Sequence, residues 1–333
     1  MNILSKIALF RSGPALALVA GLLVPAAAMA QTPALHDGVV VDAAAGAAYV
    51  MSPKGGIEAL ELATGNVLWK SREAGKPLLV QNGTLIAQAA PDGPGKLVLV
   101  ALDTRQGTAR ERVNVPIPAT LRANLFDGPS QSFRTQAFAA ENGAVVTWTA
   151  EDGRSLRGLL PPTEEATTDG SGAPVNEAAA AKAGPQPLRG AARFDLGTGQ
   201  AVAMKYEEAL QARAVSVRTP FNRAADVRQL GSLDGQHILS SERTRNGSLA
   251  ARYRWTVTDK AGATVGTVEA PVSMTPFVVS GTRLFYVAQP LARKEGNRMI
   301  QEPLRLRSLD LQTGAELWNQ PVIDSAYRGA FPP

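Results

Sequence analysis

Short apolar runs separated by glycine-bearing turns recur along this chain, and they come in a fixed order. An apolar run, a tight turn, a second run, a variable connection and a third run lead to an acidic turn that opens a fourth. The pattern predicts four antiparallel strands per unit; in the second unit these fall at about 77–81, 84–89, 96–102 and 108–115. The first turn of each unit is Ala45-Gly46, Asn82-Gly83, Asn142-Gly143, Asp234-Gly235 or Ser280-Gly281. Asparagine or aspartate before glycine favours a hairpin, because both residues tolerate positive φ.

The acidic turn is the clearest repeat. It reads Glu61-Leu62-Ala63-Thr64-Gly65, Asp103-Thr104-Arg105-Gln106-Gly107, Asp195-Leu196-Gly197-Thr198-Gly199, Thr258-Asp259-Lys260-Ala261-Gly262 and Asp310-Leu311-Gln312-Thr313-Gly314. A turn repeated at this scale marks repeated supersecondary units. Four antiparallel strands per unit make a propeller blade, so the predicted fold is an all-β propeller of five recognisable blades. The repeat glycines are 42, 92, 63 and 52 residues apart, which leaves room for insertions or for degenerate blades that would raise the count to six to eight. Insertion is the preferred reading of the longest gap, since 161–187 is rich in Pro, Gly, Ala, Thr and Glu and cannot supply a core.

The first 30 residues change the picture of where the protein works. Lys6 and Arg11 precede an apolar run from about Ala15 to Val24, followed by Ala28-Met29-Ala30. This is the pattern of a secretory signal peptide, too short for a membrane span. The expected mature chain, 31–333, is one propeller domain, exported to the periplasm or beyond, soluble and monomeric. The net charge of +5 falls to +3 without the two basic residues of the leader, too weak an excess to suggest a nucleic-acid partner. The chain has no cysteine, so neither disulfides nor a lipidated cysteine can contribute. Two sequons, at Asn82 and Asn246, fall in turns that call for Asn-Gly in any case.

Two of the acidic turns run on into a tryptophan. Ala59-Leu60-Glu61-Leu62-Ala63-Thr64-Gly65-Asn66-Val67-Leu68-Trp69 and Ser308-Leu309-Asp310-Leu311-Gln312-Thr313-Gly314-Ala315-Glu316-Leu317-Trp318 resemble the tryptophan-docking repeat of the quinoprotein, or PQQ-like, β-propellers. The resemblance implies that Trp69 and Trp318 pack on a neighbouring blade's turn, and that the acid and the threonine hold that turn by hydrogen bonds. The other units have Glu111, Ala203 and Gly266 at the tryptophan position. Within the family, the dehydrogenases hold a quinone against paired cysteines with calcium nearby. Other members, such as the propeller lipoprotein of the outer-membrane barrel-assembly machine, are non-catalytic. Without cysteine this chain resembles the second group, although it also lacks a lipidation cysteine. No cofactor is expected; PQQ with calcium belongs to the alternative reading of a divergent quinoprotein oxidoreductase.

Other chemistry finds little foothold. The histidines are His36 and His237, neither at ligand spacing from a partner. Ser240 and Ser241 lack the Gly-x-Ser-x-Gly turn of a nucleophile elbow. No catalytic, cofactor or metal residue is assigned.

Blade topology supplies the sharper expectation. In a four-stranded blade the first and third turns lie on one face, and the second connection and the inter-blade link lie on the other. Length variation falls on that second face, in 116–133, 161–187, 207–225 and 289–303. Its loops carry Arg122, Arg213, Arg218, Arg223, Arg293, Lys294 and Arg298, with Phe133 and Phe221 among them. Arginine beside aromatics suits an interface or an anionic ligand. The sequence therefore predicts a non-catalytic envelope scaffold that holds a protein or an anionic ligand on this long-loop face. Ring closure is expected where the tail after Trp318 meets the strand near Val39.

Overall fold

A computed structural model of the chain describes residues 32–128, 131–152, 188–216, 228–244, 252–289, 293–295, 298–300 and 302–327. The expected signal peptide and the 161–187 insertion lie outside them. Every sheet is antiparallel, and five sets of four strands stand in chain order. A leading strand, β1 (Thr32–His36), precedes blade 1, which comprises β2 (Val39–Asp42), β3 (Ala47–Met51), β4 (Ile57–Glu61) and β5 (Val67–Ser71). Blade 2 comprises β6 (Lys76–Gln81), β7 (Thr84–Ala89), β8 (Lys96–Asp103) and β9 (Ala109–Pro116), within a residue or two of the spans read from the pattern. Blade 3 comprises β10 (Gln131–Ala140), β11 (Gly143–Asp152), β12 (Leu188–Asp195) and β13 (Gln200–Met204).

One helix, α1 (Tyr206–Ser216), follows blade 3 where the sequence reading placed an irregular loop. Glu207 and Glu208 lie in its first turn, where negative charge suits the positive end of the helix dipole. Blade 4 comprises β14 (Arg228–Gly231), β15 (His237–Thr244), β16 (Arg252–Asp259) and β17 (Thr264–Ala270). Blade 5 begins with β18 (Phe277–Ser280) and β19 (Arg283–Ala288). A small hairpin, β20 (Arg293–Glu295) and β21 (Arg298–Ile300), is then inserted before β22 (Leu304–Asp310) and β23 (Glu316–Val322) complete the blade. That hairpin also replaces an expected loop.

The five acidic turns all close on a glycine in the left-handed region, with positive φ at Gly65, Gly107, Gly199, Gly262 and Gly314. Asp103 accepts from the amides of Arg105 and Gln106 at 2.7 and 3.1 Å, Asp195 from Gly197 and Thr198 at 2.8 and 2.9 Å, and Asp310 from Gln312 and Thr313 at 2.7 and 2.9 Å. These bonds favour the carboxylate and hold all three acids below their ordinary pKa, the leading cause being the amide of Arg105, Thr198 and Thr313 respectively. In Asp259, Oδ1 accepts from the Ala263 amide at 2.9 Å. Register shifts by one residue beside this turn in blades 1, 2, 4 and 5, whereas β12 and β13 of blade 3 pair without a shift.

Four hydrophobic clusters fill the gaps between neighbouring blades. Tyr49, Ala59, Val98 and Val100 join blades 1 and 2, and Leu99, Ala101, Val146 and Phe194 join blades 2 and 3. Trp255, Val257, Phe277 and Tyr286 join blades 4 and 5, and Val50, Leu60, Phe285 and Trp318 join blades 5 and 1. The last of these brings the end of the chain back to its beginning. Backbone pairing reinforces one junction, since β1 pairs with both β2 and β6 and so bridges the inner edges of blades 1 and 2.

Candidate functional site

Docking between blades follows one rule, with the fourth strand of a blade meeting the acidic turn of the next. Trp69 lies over the blade 2 turn and donates its indole N–H to the Thr104 carbonyl at 2.8 Å. Trp318 lies over the blade 1 turn and donates to the Leu62 carbonyl at 3.0 Å. Gln320 and Arg283 add bonds to the carbonyls of Gly65 and Ala63, at 3.0 and 2.9 Å. At two of the three positions that lack the tryptophan, other contacts substitute. The Glu111 carboxylate sits against Gly199, 2.6 Å from where a Cβ would stand. Beside Gly266, the Thr267 amide donates to the Leu311 carbonyl at 3.1 Å.

The long-loop face has a polar centre. After β23 the chain crosses it as a short tail. The Ile323 amide donates to the Met51 carbonyl at 3.2 Å, and the Asp127 amide donates to the Ser325 carbonyl at 2.8 Å. His36 and Asp324 meet at 3.2 Å. Under the tail lies Lys76, the first residue of the inner strand of blade 2, with a side chain 2 % exposed. Its ammonium sits 2.5 Å from Asp37 Oδ1 and donates to Ser325 Oγ at 3.0 Å. Asp37 accepts from both the amide and the hydroxyl of Ser325. Burial pushes the Asp37 carboxyl up, but the charge and hydrogen bond of Lys76 and the bonds from Ser325 outweigh it and leave the group below its ordinary value.

This arrangement spends its polar groups on one another. The buried charge is paired and hydrogen-bonded, as a buried ammonium must be. Ser325 is 4 % exposed and donates to a carboxylate already paired with Lys76, a fixed and shielded hydroxyl rather than an activated nucleophile. The cluster ties β1, blade 1, blade 2 and the tail together, close to Val39 where ring closure was expected. A second buried network flanks it. Thr135 Oγ1 donates to Gln88 Oε1 at 2.6 Å, and Gln88 Nε2 donates to the Ala123 carbonyl at 2.8 Å, which fastens the link between blades 2 and 3.

The residues expected to work on this face divide into four groups. Arg122 is exposed in the link after β9, and its carbonyl accepts from Gln131 Nε2 at 3.1 Å. Phe133 is not a surface residue: it is 2 % exposed and stacks on Trp148 at 5.7 Å. The alternation of β10 turns it into the core between blades 2 and 3, which corrects its placement in a loop. Arg293, Lys294 and Arg298 stand on the β20–β21 hairpin and Arg213 on α1, each with a side chain outside the described residues. Arg218, Phe221 and Arg223 lie outside them altogether. Asp37, Lys76 and Ser325 were not anticipated from sequence, the available signal being a lysine at the head of the apolar strand Pro77-Leu78-Leu79-Val80.

Four-stranded blades, a recurring acidic turn and tryptophan docking define the class, a β-propeller whose turns and docking resemble the PQQ-like repeat. A family model described as outer membrane protein assembly factor BamB matches residues 23–160. No curated protein matches the chain. Among solved structures, BamB from Moraxella catarrhalis is 12 % identical, with 72 % of this chain and 78 % of that one covered and a TM-score of 0.20. TolB from Acinetobacter baumannii is 16 % identical, with 89 % and 55 % covered and a TM-score of 0.21. The quinohemoprotein alcohol dehydrogenase ADHIIG from Pseudomonas putida HK5 is 12 % identical, with 83 % and 57 % covered and a TM-score of 0.23, so the chain spans little more than half of that enzyme's length. At such values these three likenesses add nothing to what strand pairing and docking establish.

Proposed function

We propose that this protein is a non-catalytic, exported scaffold of the cell envelope that holds a protein or an anionic ligand on its long-loop face. The observation that carries this reading is the centre of that face, where Lys76, Asp37 and Ser325 are tied to one another under the tail. A rigid, neutralised centre leaves binding to the loops around it, as is usual for loops on a fixed scaffold. Arg122 and the hairpin bearing Arg293, Lys294 and Arg298 are the groups assigned to that contact.

Calorimetric titration with pyrroloquinoline quinone and calcium separates this reading from that of a quinoprotein oxidoreductase. The expected result is no saturable heat; saturation near one site per chain would refute the scaffold. In parallel, charge reversal at Arg122, Arg293 and Arg298 is expected to abolish co-purification of an envelope partner retained by the parent protein. Retention of that partner by the reversed variant would remove these residues from the interface.

A further inference from the structure

Strands enclosed on both sides read as continuous apolar runs, and strands with one wet face alternate. Blade 2 is of the first kind, with every residue of β7 buried and β8 buried from Leu97 to Leu102. Blade 4 is of the second. Its β16 reads Arg252-Tyr253-Arg254-Trp255-Thr256-Val257-Thr258. Trp255 and Val257 are wholly buried against blade 5, together with Leu239.

The opposite face of blade 4 is built for water. Register sets Arg254 directly between Glu242 and Glu269, and all three are exposed. Arg252 reaches Glu269 at 3.5 Å, with both side chains more than half exposed. Ile238, on the same face, is 37 % exposed. Opposite charges in cross-strand register stabilise a solvated sheet face and leave little for a neighbouring blade to bury.

Blade 3 is finished off differently on the side that faces blade 4 in ring order. There Val145 and Ala191, with Ala140 and Met204, pack around Ala209 of α1, which is wholly buried. The helix thus covers the apolar face of blade 3. Docking is missing as well: Ala203 occupies the tryptophan position and is exposed, and nothing lies within 4 Å of a Cβ built on Gly262. Among the described residues, no hydrophobic cluster joins blades 3 and 4.

We propose that the propeller is an open ring, and that the seam between α1-capped blade 3 and blade 4 is its moving joint. The other four junctions are held by apolar burial, reinforced by docked side chains or, between blades 4 and 5, by a backbone bond. Closure of the seam would bring a hydrated, self-neutralised face against a helix and gain almost no burial, so its width is free to vary. On the long-loop face, the links at 117–128 and 271–276 belong to the parts on either side of the seam, and their spacing varies with that width.

The absence of cysteine makes a direct test clean. Spin labels on Glu208→Cys and Thr256→Cys report across the seam, and labels on Ala63→Cys and Gln106→Cys report across the docked junction of blades 1 and 2. A second seam pair, Leu210→Cys with Arg254→Cys, guards against misfolding of the first. Pulsed dipolar spectroscopy should give a seam distance distribution about twofold or more broader than the control. Equal widths would overturn the proposal. So would equally broad distributions at both junctions, because the seam would then not be the particular joint.

Discussion

The docking rule makes a quantitative prediction about two glycines in the same turn position. Gly107 has φ of +71°, and a Cβ placed there would stand 2.4 Å from Cε3 of Trp69. Gly262 has φ of +84° with nothing within 4 Å of its Cβ. Alanine at either position incurs the left-handed backbone penalty, about 1–2 kcal/mol. At Gly107 the new methyl must also displace an indole bonded at 2.8 Å to the Thr104 carbonyl, which adds an overpacking cost of about 1–3 kcal/mol and a lost hydrogen bond of about 1 kcal/mol. Gly107→Ala should therefore cost about 3–6 kcal/mol and Gly262→Ala about 1–2 kcal/mol, summed from those same contributions. Equilibrium unfolding in urea, with the slope held constant, measures the difference. In the double variant Trp69→Ala with Gly107→Ala, the two costs should fail to add, because the second change no longer meets the first. Equal costs at Gly107 and Gly262, or strict additivity in the double variant, would refute docking as the source of the glycine requirement.

Four further outcomes follow from the structure. Trp318→Ala, which removes a side chain 9 % exposed at the junction of blades 5 and 1, should cost about 3–5 kcal/mol and lower Tm in a thermal melt. Lys76→Met leaves Asp37 unpaired, and because that carboxylate is 37 % exposed the loss should fall below the roughly 3–5 kcal/mol of a fully buried broken pair. The folded-state pKa of Asp37 is lowered from 3.8, so its contribution is present above pH 3.8 and disappears as pH falls through the lower folded value. Asp37→Asn should accordingly flatten the acid limb of the stability profile below pH 4, as measured by unfolding at a series of pH values. Thr256→Lys on the free face of blade 4 should change stability by no more than about 0.5 kcal/mol, whereas a lysine at wholly buried Val100 of blade 2 should prevent folding; soluble expression and a chemical melt distinguish them.

What the sequence determined by itself is the repeat. Apolar runs, Asn-Gly and Asp-Gly hairpins and the acidic turns are local signals, since each is satisfied by bonds within a few residues, as in the amides that cap Asp103 and Asp310. Trp69 and Trp318 were legible because their role depends on a motif that carries its own partner in every copy. The alternation of β16 was legible in principle too, yet it takes the neighbouring blade to show which of its two faces is wet. Tertiary structure alone decided the rest. Phe133 was placed by pairing register, which turns it inward onto Trp148. Ser325 and Asp37 stand 288 positions apart in the chain, so no local pattern connects them to Lys76. A closed junction and an open seam differ only in what lies across a gap, and that is fixed by the arrangement of whole blades rather than by any strand within them.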